Sequence, residues 1–426
     1  MSVSIEKGVG GYLTIDSASL SNTRSNYILT VRVILILGLF LIGVYKSYGM
    51  LFFPYLFTYA TQGLLIVVVL DIIWSGLRGE FKISRNYRYG LLSLLGFYWL
   101  IIVSLFYSPS PEFKFVKALN FIIPIVFFGY APLLKKISFE RLIYPYILLL
   151  LPLVVLVVSF QNAMMNFEMM SIENQEIYDY LSLGLHLSIT IILLNYFRKS
   201  ILLQIFMFTG LILLGSRGPL IFLVVTILAM NMRVFYTINF FKVVVPLSVF
   251  LITVFASFNL SDYPFIRTLI RMSDLMNYDE QGNTSFQRIE MFKFALVSQG
   301  DSIFNVLFGN GIGSFGVSYI GEDIRAYPHN LLLEIFFELG IIGLLSLVPL
   351  CLLIYRSISR KKNVYFWIFI FLFLNSLKSS SLTDHWLMFM YLGLMLNFES
   401  RDYNGNAKKV IITKDPKKVM GGIGNE

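Results

Sequence analysis

Long apolar runs decide most of what this chain can become. Stretches near the roughly 17 to 25 residues that a helix needs to cross a bilayer recur at 27–46, 51–74, 90–107, 116–134, 143–160, 179–197, 201–215, 219–237, 243–258, 331–355, 363–377 and 385–398. They predict an all-α polytopic membrane protein with about twelve transmembrane helices. With 57% hydrophobic residues and only 14% charged ones, the composition excludes a soluble domain of this size. A net charge of +9 could point to nucleic acid, but the basic residues lie in short clusters between the apolar runs. That pattern is topology, and no nucleic-acid partner is expected.

Those clusters orient the chain. Arg78, Lys82, Arg85 and Arg88, then Lys135, Lys136 and Arg141, then Arg198 and Lys199, then Arg233 and Lys242, then Arg356, Arg360, Lys361 and Lys362 fall in every second connection. By the positive-inside rule both termini are cytoplasmic. Five bases break the pattern on the opposite side: Lys46, Lys114, Lys117, Arg217 and Lys378. The expected organisation is a cytoplasmic tail at 1–26, nine spans within 27–258, a large outer loop at 259–330, three spans within 331–398 and a basic cytoplasmic tail at 399–426. The first 26 residues lack the short apolar core of a cleaved signal, so the first run should stay as an anchor. The single cysteine, Cys351, can form no internal disulfide.

Loops of this length tend to carry function. Apolar spacing at 286–297 and 302–308 predicts short amphipathic helices lying on the membrane. The loop ends in Tyr327-Pro328-His329-Asn330, just before an apolar run. Pro328 suits a first helical turn, which would put His329 among the unpaired N–H groups of a helix start, its ring kept neutral by the dipole. The plain alternative is an interfacial capping histidine.

Arg217 stands in Gly215-Ser216-Arg217-Gly218-Pro219, a tight outer turn, either as a snorkelling arginine or as an anion clamp. Arg288, in Phe286-Gln287-Arg288-Ile289-Glu290, reads alone as an exposed charge, and Arg325 as a local ion pair with Glu322 or Asp323. Glu334 and Glu338 share a helix face and repel unless neutralised; an arginine from the outer turn or loop is the expected partner. Arg325, Asn330, Glu334 and Glu338 are the candidate substrate-binding residues. Asp384 and His385 open another outer helix, with Asp384 as a cap. His186 and Asp71, inside apolar runs, are expected to hydrogen-bond between helices. Gly309-Asn310-Gly311-Ile312-Gly313 has neither a preceding strand nor a following Lys-Ser/Thr, so it reads as a flexible turn and not a nucleotide loop. No clustered pattern for a metal exists, and no cofactor is expected.

Together the Ser216-Arg217-Gly218 turn, Gln287-Arg288-Ile289-Glu290-Met291-Phe292, Leu307 to Gly313, and Pro328-His329-Asn330 followed by Glu338-Leu339-Gly340-Ile341-Ile342-Gly343 resemble the bacterial O-antigen polymerase and O-antigen ligase superfamily. The resemblance implies glycosyl transfer at the outer face of the bacterial inner membrane from an undecaprenyl-diphosphate-linked oligosaccharide, without nucleotide sugar or metal. It further implies Arg217, Arg288 and His329 as the catalytic set, with membrane lipid, a chain-length regulator and a flippase as partners. Polymerase is the preferred expectation over ligase. A lipid-linked saccharide flippase would show paired halves and a midplane polar path, and no internal repeat is found.

Overall fold

A computed structural model of the chain describes residues 28–39, 54–135, 137, 139–164, 180–214, 216–231, 284–357, 363–378 and 381–398. The two terminal tails, the ninth apolar run at 243–258 and the loop segment 259–283 lie outside the described residues. Among the described residues every regular element is a helix. Helices fall on each of the other expected runs, but three are long and apolar enough to cross a membrane, Tyr59–Leu77, Arg85–Ser104 and Phe113–Leu134. A bent pair, Leu331–Ser346 with Val348–Ser357, adds a fourth if counted as one span. Six further apolar helices are shorter.

Two compact units divide the chain. One comprises residues 1–78 and 136–216. It holds α1 (Ile28–Leu39), α2 (Pro54–Leu77) and, later in the chain, α6 (Phe139–Met164), α7 (Tyr180–Tyr196) and α8 (Ile201–Leu213). Arg32 on α1 meets Asp71 on α2 at 2.9 Å, and His186 on α7 hydrogen-bonds the Tyr146 hydroxyl of α6. Polar side chains in apolar helices are thus paired between helices, as expected, since an unpartnered group there would be costly.

The other unit comprises residues 79–135 and 217–426 and carries the candidate site. Its helices are α3 (Arg85–Ser104), α4 (Phe113–Asn120), α5 (Ile122–Leu134), α9 (Arg217–Met230), α10 (Thr284–Val297), α11 (Ile303–Phe308), α12 (Phe315–Tyr319), α13 (Leu331–Ser346), α14 (Val348–Ser357), α15 (Val364–Ser376) and α16 (Trp386–Asn397). α5, α15, α16 and α3 pack as its centre. Gly393 of α16 admits Ala131 and Phe128 of α5, where an added Cβ would meet Ala131 Cβ at 2.7 Å. Ser84 caps α3 by accepting from Tyr87 N, while its own hydroxyl donates to Leu396 O at 2.7 Å. That one residue ends a loop, starts a helix and ties it to α16.

Helices α10 and α11 coincide with the expected amphipathic segments. α10 docks on α13 through Ala295, which packs with Phe315 of α12 and Phe337 of α13 in a small buried cluster bordered by Met291, Phe294, Tyr319 and Ala326. Gln299, just beyond α10, donates from Nε2 to Phe337 O at 2.8 Å.

α13 is broken inside. Gly340 has φ 64, a conformation a helix cannot contain, and the glycine segment 309–313 fills the break. An added Cβ at Gly340 would lie 2.4 Å from the Leu307 carbonyl carbon, and one at Gly309 would lie 2.3 Å from that of Glu338. Asn310 N donates to Phe337 O at 2.8 Å and Gly311 N to Glu338 O at 2.9 Å. The segment expected to be a flexible turn is therefore a docked wedge, its glycines required by backbone-to-backbone approach. Serines at and just after the end of α3 hold its far side: Ser108 Oγ donates to Ile312 O at 2.7 Å, and Ile312 N donates to Ser104 Oγ at 3.2 Å.

Candidate active site

His329 sits at the end of the long polar segment, and its backbone is in the left-handed region, φ 54. For a residue with a Cβ that conformation costs about 1–2 kcal/mol and persists only where neighbours enforce it. They do so from both sides. Pro328 is buried before it, and Asn330 caps α13 after it, its Oδ1 accepting from Leu332 N at 3.0 Å and Leu333 N at 3.1 Å. The helix consequently starts at Leu331, so Pro328 and His329 precede the first turn instead of forming it.

The neutral imidazole expected from a helix dipole has another cause. Burial first, and the Arg288 guanidinium second, hold the His329 pKa down to about 4, against an opposing pull from the Glu334 carboxylate. The ring rests on Tyr327, centroids 4.6 Å apart, and Nδ1 is buried without a hydrogen-bond partner among the described residues.

Arg288 lies near the start of α10, two helical turns before Ala295 and so on the same face as that anchor. Its charge is felt at both His329 and Tyr327. Arg217 opens α9, which packs on α15. Its neighbour Gly218 faces the end of α15, where an added Cβ would meet Lys378 Cδ at 3.5 Å and Asn375 Oδ1 at 3.6 Å. One residue before Lys378, the Leu377 carbonyl accepts from Asn330 Nδ2 at 2.7 Å. The end of α15 thus brings together the backbone of the Arg217 turn and the loop that carries His329. Lys378 comes with it as a cation that the site reasoning passed over.

Arg325 differs from expectation. Its partner is Asp384, at 2.6 Å, not Glu322 or Asp323. Asp323 instead caps α4, accepting from Glu112 N at 2.8 Å, Phe113 N at 3.1 Å and Ser110 Oγ at 2.5 Å. Asp384 also accepts from Ser381 N in the capping box of a 3-10 turn, Leu382–Asp384, and not at the start of α16 as expected, where His385 is the N-cap. His385, next in the chain, is buried.

Glu334 and Glu338 do have a cation, but it is a lysine from the first half of the chain. Lys117 Nζ lies 2.5 Å from Glu334 Oε1 and 2.6 Å from Glu338 Oε1, and the three side chains are 2%, 0% and 1% exposed. Glu334 also accepts from Ser381 Oγ at 2.7 Å and Leu382 N at 2.8 Å, and Glu338 from Gly313 N at 3.1 Å. Carboxylates so enclosed are spent on contacts within the protein, with Lys117, the 381–382 turn and Gly313 as their partners. Among the described arginine side chains, Arg288 is half-exposed and Arg325 is engaged with Asp384, whereas Lys117 enters from inside the helix packing. The signal was present: a lysine within an expected span, on the side where bases should be scarce.

Apolar helices bearing a polar end, where a left-handed histidine feels the Arg288 charge, define a membrane protein with a candidate transferase centre. Residues 202–348 match the family model described as O-antigen ligase, and this supports the O-antigen polymerase and ligase superfamily for the chain. The match spans Arg217, Arg288, Arg325, His329, Asn330, Glu334 and Glu338 but ends before Lys378 and does not reach back to Lys117. No curated protein matches the chain.

Proposed function

We propose that the protein polymerises undecaprenyl-diphosphate-linked oligosaccharide repeat units into a polysaccharide by inverting glycosyl transfer at the outer face of the bacterial cytoplasmic membrane. The acceptor hydroxyl oxygen attacks the anomeric carbon, the bond from that carbon to the diphosphate oxygen breaks, and the diphosphate departs with the electron pair. His329 takes the hydroxyl proton, and a positioned base of this kind contributes about 10²–10⁴-fold. The leaving diphosphate gains charge as the bond breaks, so guanidinium groups aimed at it stabilise the transition state more than the ground state. Arg288 and Arg217 have that role, with Lys378 beside them.

One observation carries the reading: a half-buried imidazole on a strained backbone, its enclosed Nδ1 without a partner among the described residues, feels the Arg288 charge at the helix end to which the Arg217 turn is also attached. A base and an anion clamp within one polar end are what transfer from a lipid diphosphate requires. Purified protein given the lipid-linked repeat unit alone should yield a ladder of products. No product with the repeat unit, either alone or with lipid A core added, would remove the proposal.

The ligase description of the matching family favours a second reading, transfer of finished polysaccharide to lipid A core. The same assay separates the two, since a ligase yields product only when the core is added.

A further inference from the structure

Lys117 makes its two carboxylate contacts with no exposed route to solvent, and those contacts tie four segments together. They are α4, α13, the glycine wedge through Gly313 N, and the turn at 381–382 through Ser381 and Leu382 N. That turn ends in Asp384, the partner of Arg325, which precedes His329 by four residues. Buried ionic triads are seldom net stabilising against well-packed apolar residues, so their retention calls for another reason.

We propose that Lys117 is a positioning residue for His329: by clamping Glu334 and Glu338 it fixes the start of α13, which His329 precedes by two residues, and the 381–384 turn, which holds Arg325 of the His329 loop. The inference rests on the glycosyl-transfer reading for its effect on turnover, but not for its effect on the histidine. The charges that act on His329 are Arg288 from α10 and Glu334 from α13, and Tyr327 of its own loop lies against the ring; Arg325 of the same loop is paired with Asp384, and Lys378 follows the Leu377 carbonyl that holds Asn330. Glu334 is the anion whose pull on the ring opposes Arg288. Lys117, which touches no substrate, therefore acts on the base through Glu334.

Two variants test this. Glu334→Gln keeps the Lys117–Glu338 pair and an oxygen for Ser381 and Leu382, but removes the charge. The imidazole NMR titration of His329, one of three histidines in the chain, should then move down by on the order of one pH unit. The acid limb of the kcat profile should move with it. Lys117→Met with Glu338→Leu removes the clamp and leaves Glu334 with only its Ser381 and Leu382 bonds. Its kcat for transfer from the lipid-linked repeat unit should fall about tenfold or more with KM unchanged, and Lys117→Arg alone should retain more of the rate. An unmoved His329 titration in Glu334→Gln, or full kcat in the double variant, overturns the proposal. A wild-type protein that makes no product while Glu334→Gln still shifts the histidine would refute the glycosyl-transfer reading and leave the positioning role standing.

Discussion

Asn330 is bonded in two directions: its side-chain oxygen accepts from the first N–H groups of α13, and its amide nitrogen donates to the Leu377 carbonyl 2.7 Å away. The residue after the candidate base thereby fastens that base to the end of α15. Asn330→Asp keeps the cap but cannot donate to Leu377, whereas Asn330→Ala loses both. Asn330→Ala should cost about 1 kcal/mol for the cap alone, seen as a lower melting temperature. Asn330→Asp should remain close to wild type in melting yet lose turnover, because the link to α15 is gone.

His329 carries the proposed proton transfer. His329→Ala should abolish product while expression and membrane insertion stay unchanged; full activity would remove the base assignment. With its pKa lowered to about 4, the ring is neutral from near pH 5 upward. Activity should accordingly be flat across pH 6 to 8 and fall as pH drops through about 4. The same shift affects folding. The unfolded ring, at its ordinary value near 6.5, binds the proton more readily than the folded one. This contribution to stability is thus complete above about 6.5 and lost as pH falls toward 4.

Arg288 lowers the proton affinity of His329, and in the proposed reaction it also holds the diphosphate. Arg288→Gln should reduce kcat, and should move the acid limb of the pH profile upward, opposite to Glu334→Gln. A reduced kcat with an unmoved limb would separate the two roles. At Arg217, substitution by Lys keeps the charge but loses the planar fork that engages two oxygens at once, so turnover should fall about tenfold or more. Wild-type turnover would leave that arginine a topological role only.

Gly340→Ala tests the wedge. Any side chain there meets the Leu307 carbonyl within 2.4 Å and must adopt φ 64, so the variant should lose at least about 1–3 kcal/mol. Thermal unfolding in detergent or nanodiscs measures it. Retained stability would mean that the 309–313 segment can leave the break without cost.

Much of this was readable locally. A helix start depends on a few neighbouring residues, so spacing was enough to place α10 and α11 and to pair His186 and Asp71 with other helices. The start of α13 was missed by three residues, because Pro328 permits a first turn and only the capping geometry of Asn330, with His329 pushed into the left-handed region, decides otherwise. The glycines at 309, 311 and 313 looked like flexibility since their partners, the backbone of α13 and the Ser108 and Lys114 region, are remote in sequence.

By itself the sequence determined an all-helical membrane chain with a polar, arginine-bearing segment leading to His329, because apolar length and charge sign act residue by residue and survive any packing. Only the tertiary structure decided which cation Glu334 meets. Lys117 is 217 residues away, and a buried charge selects its partner by which helices are close enough to exclude water from both, a property no local pattern encodes.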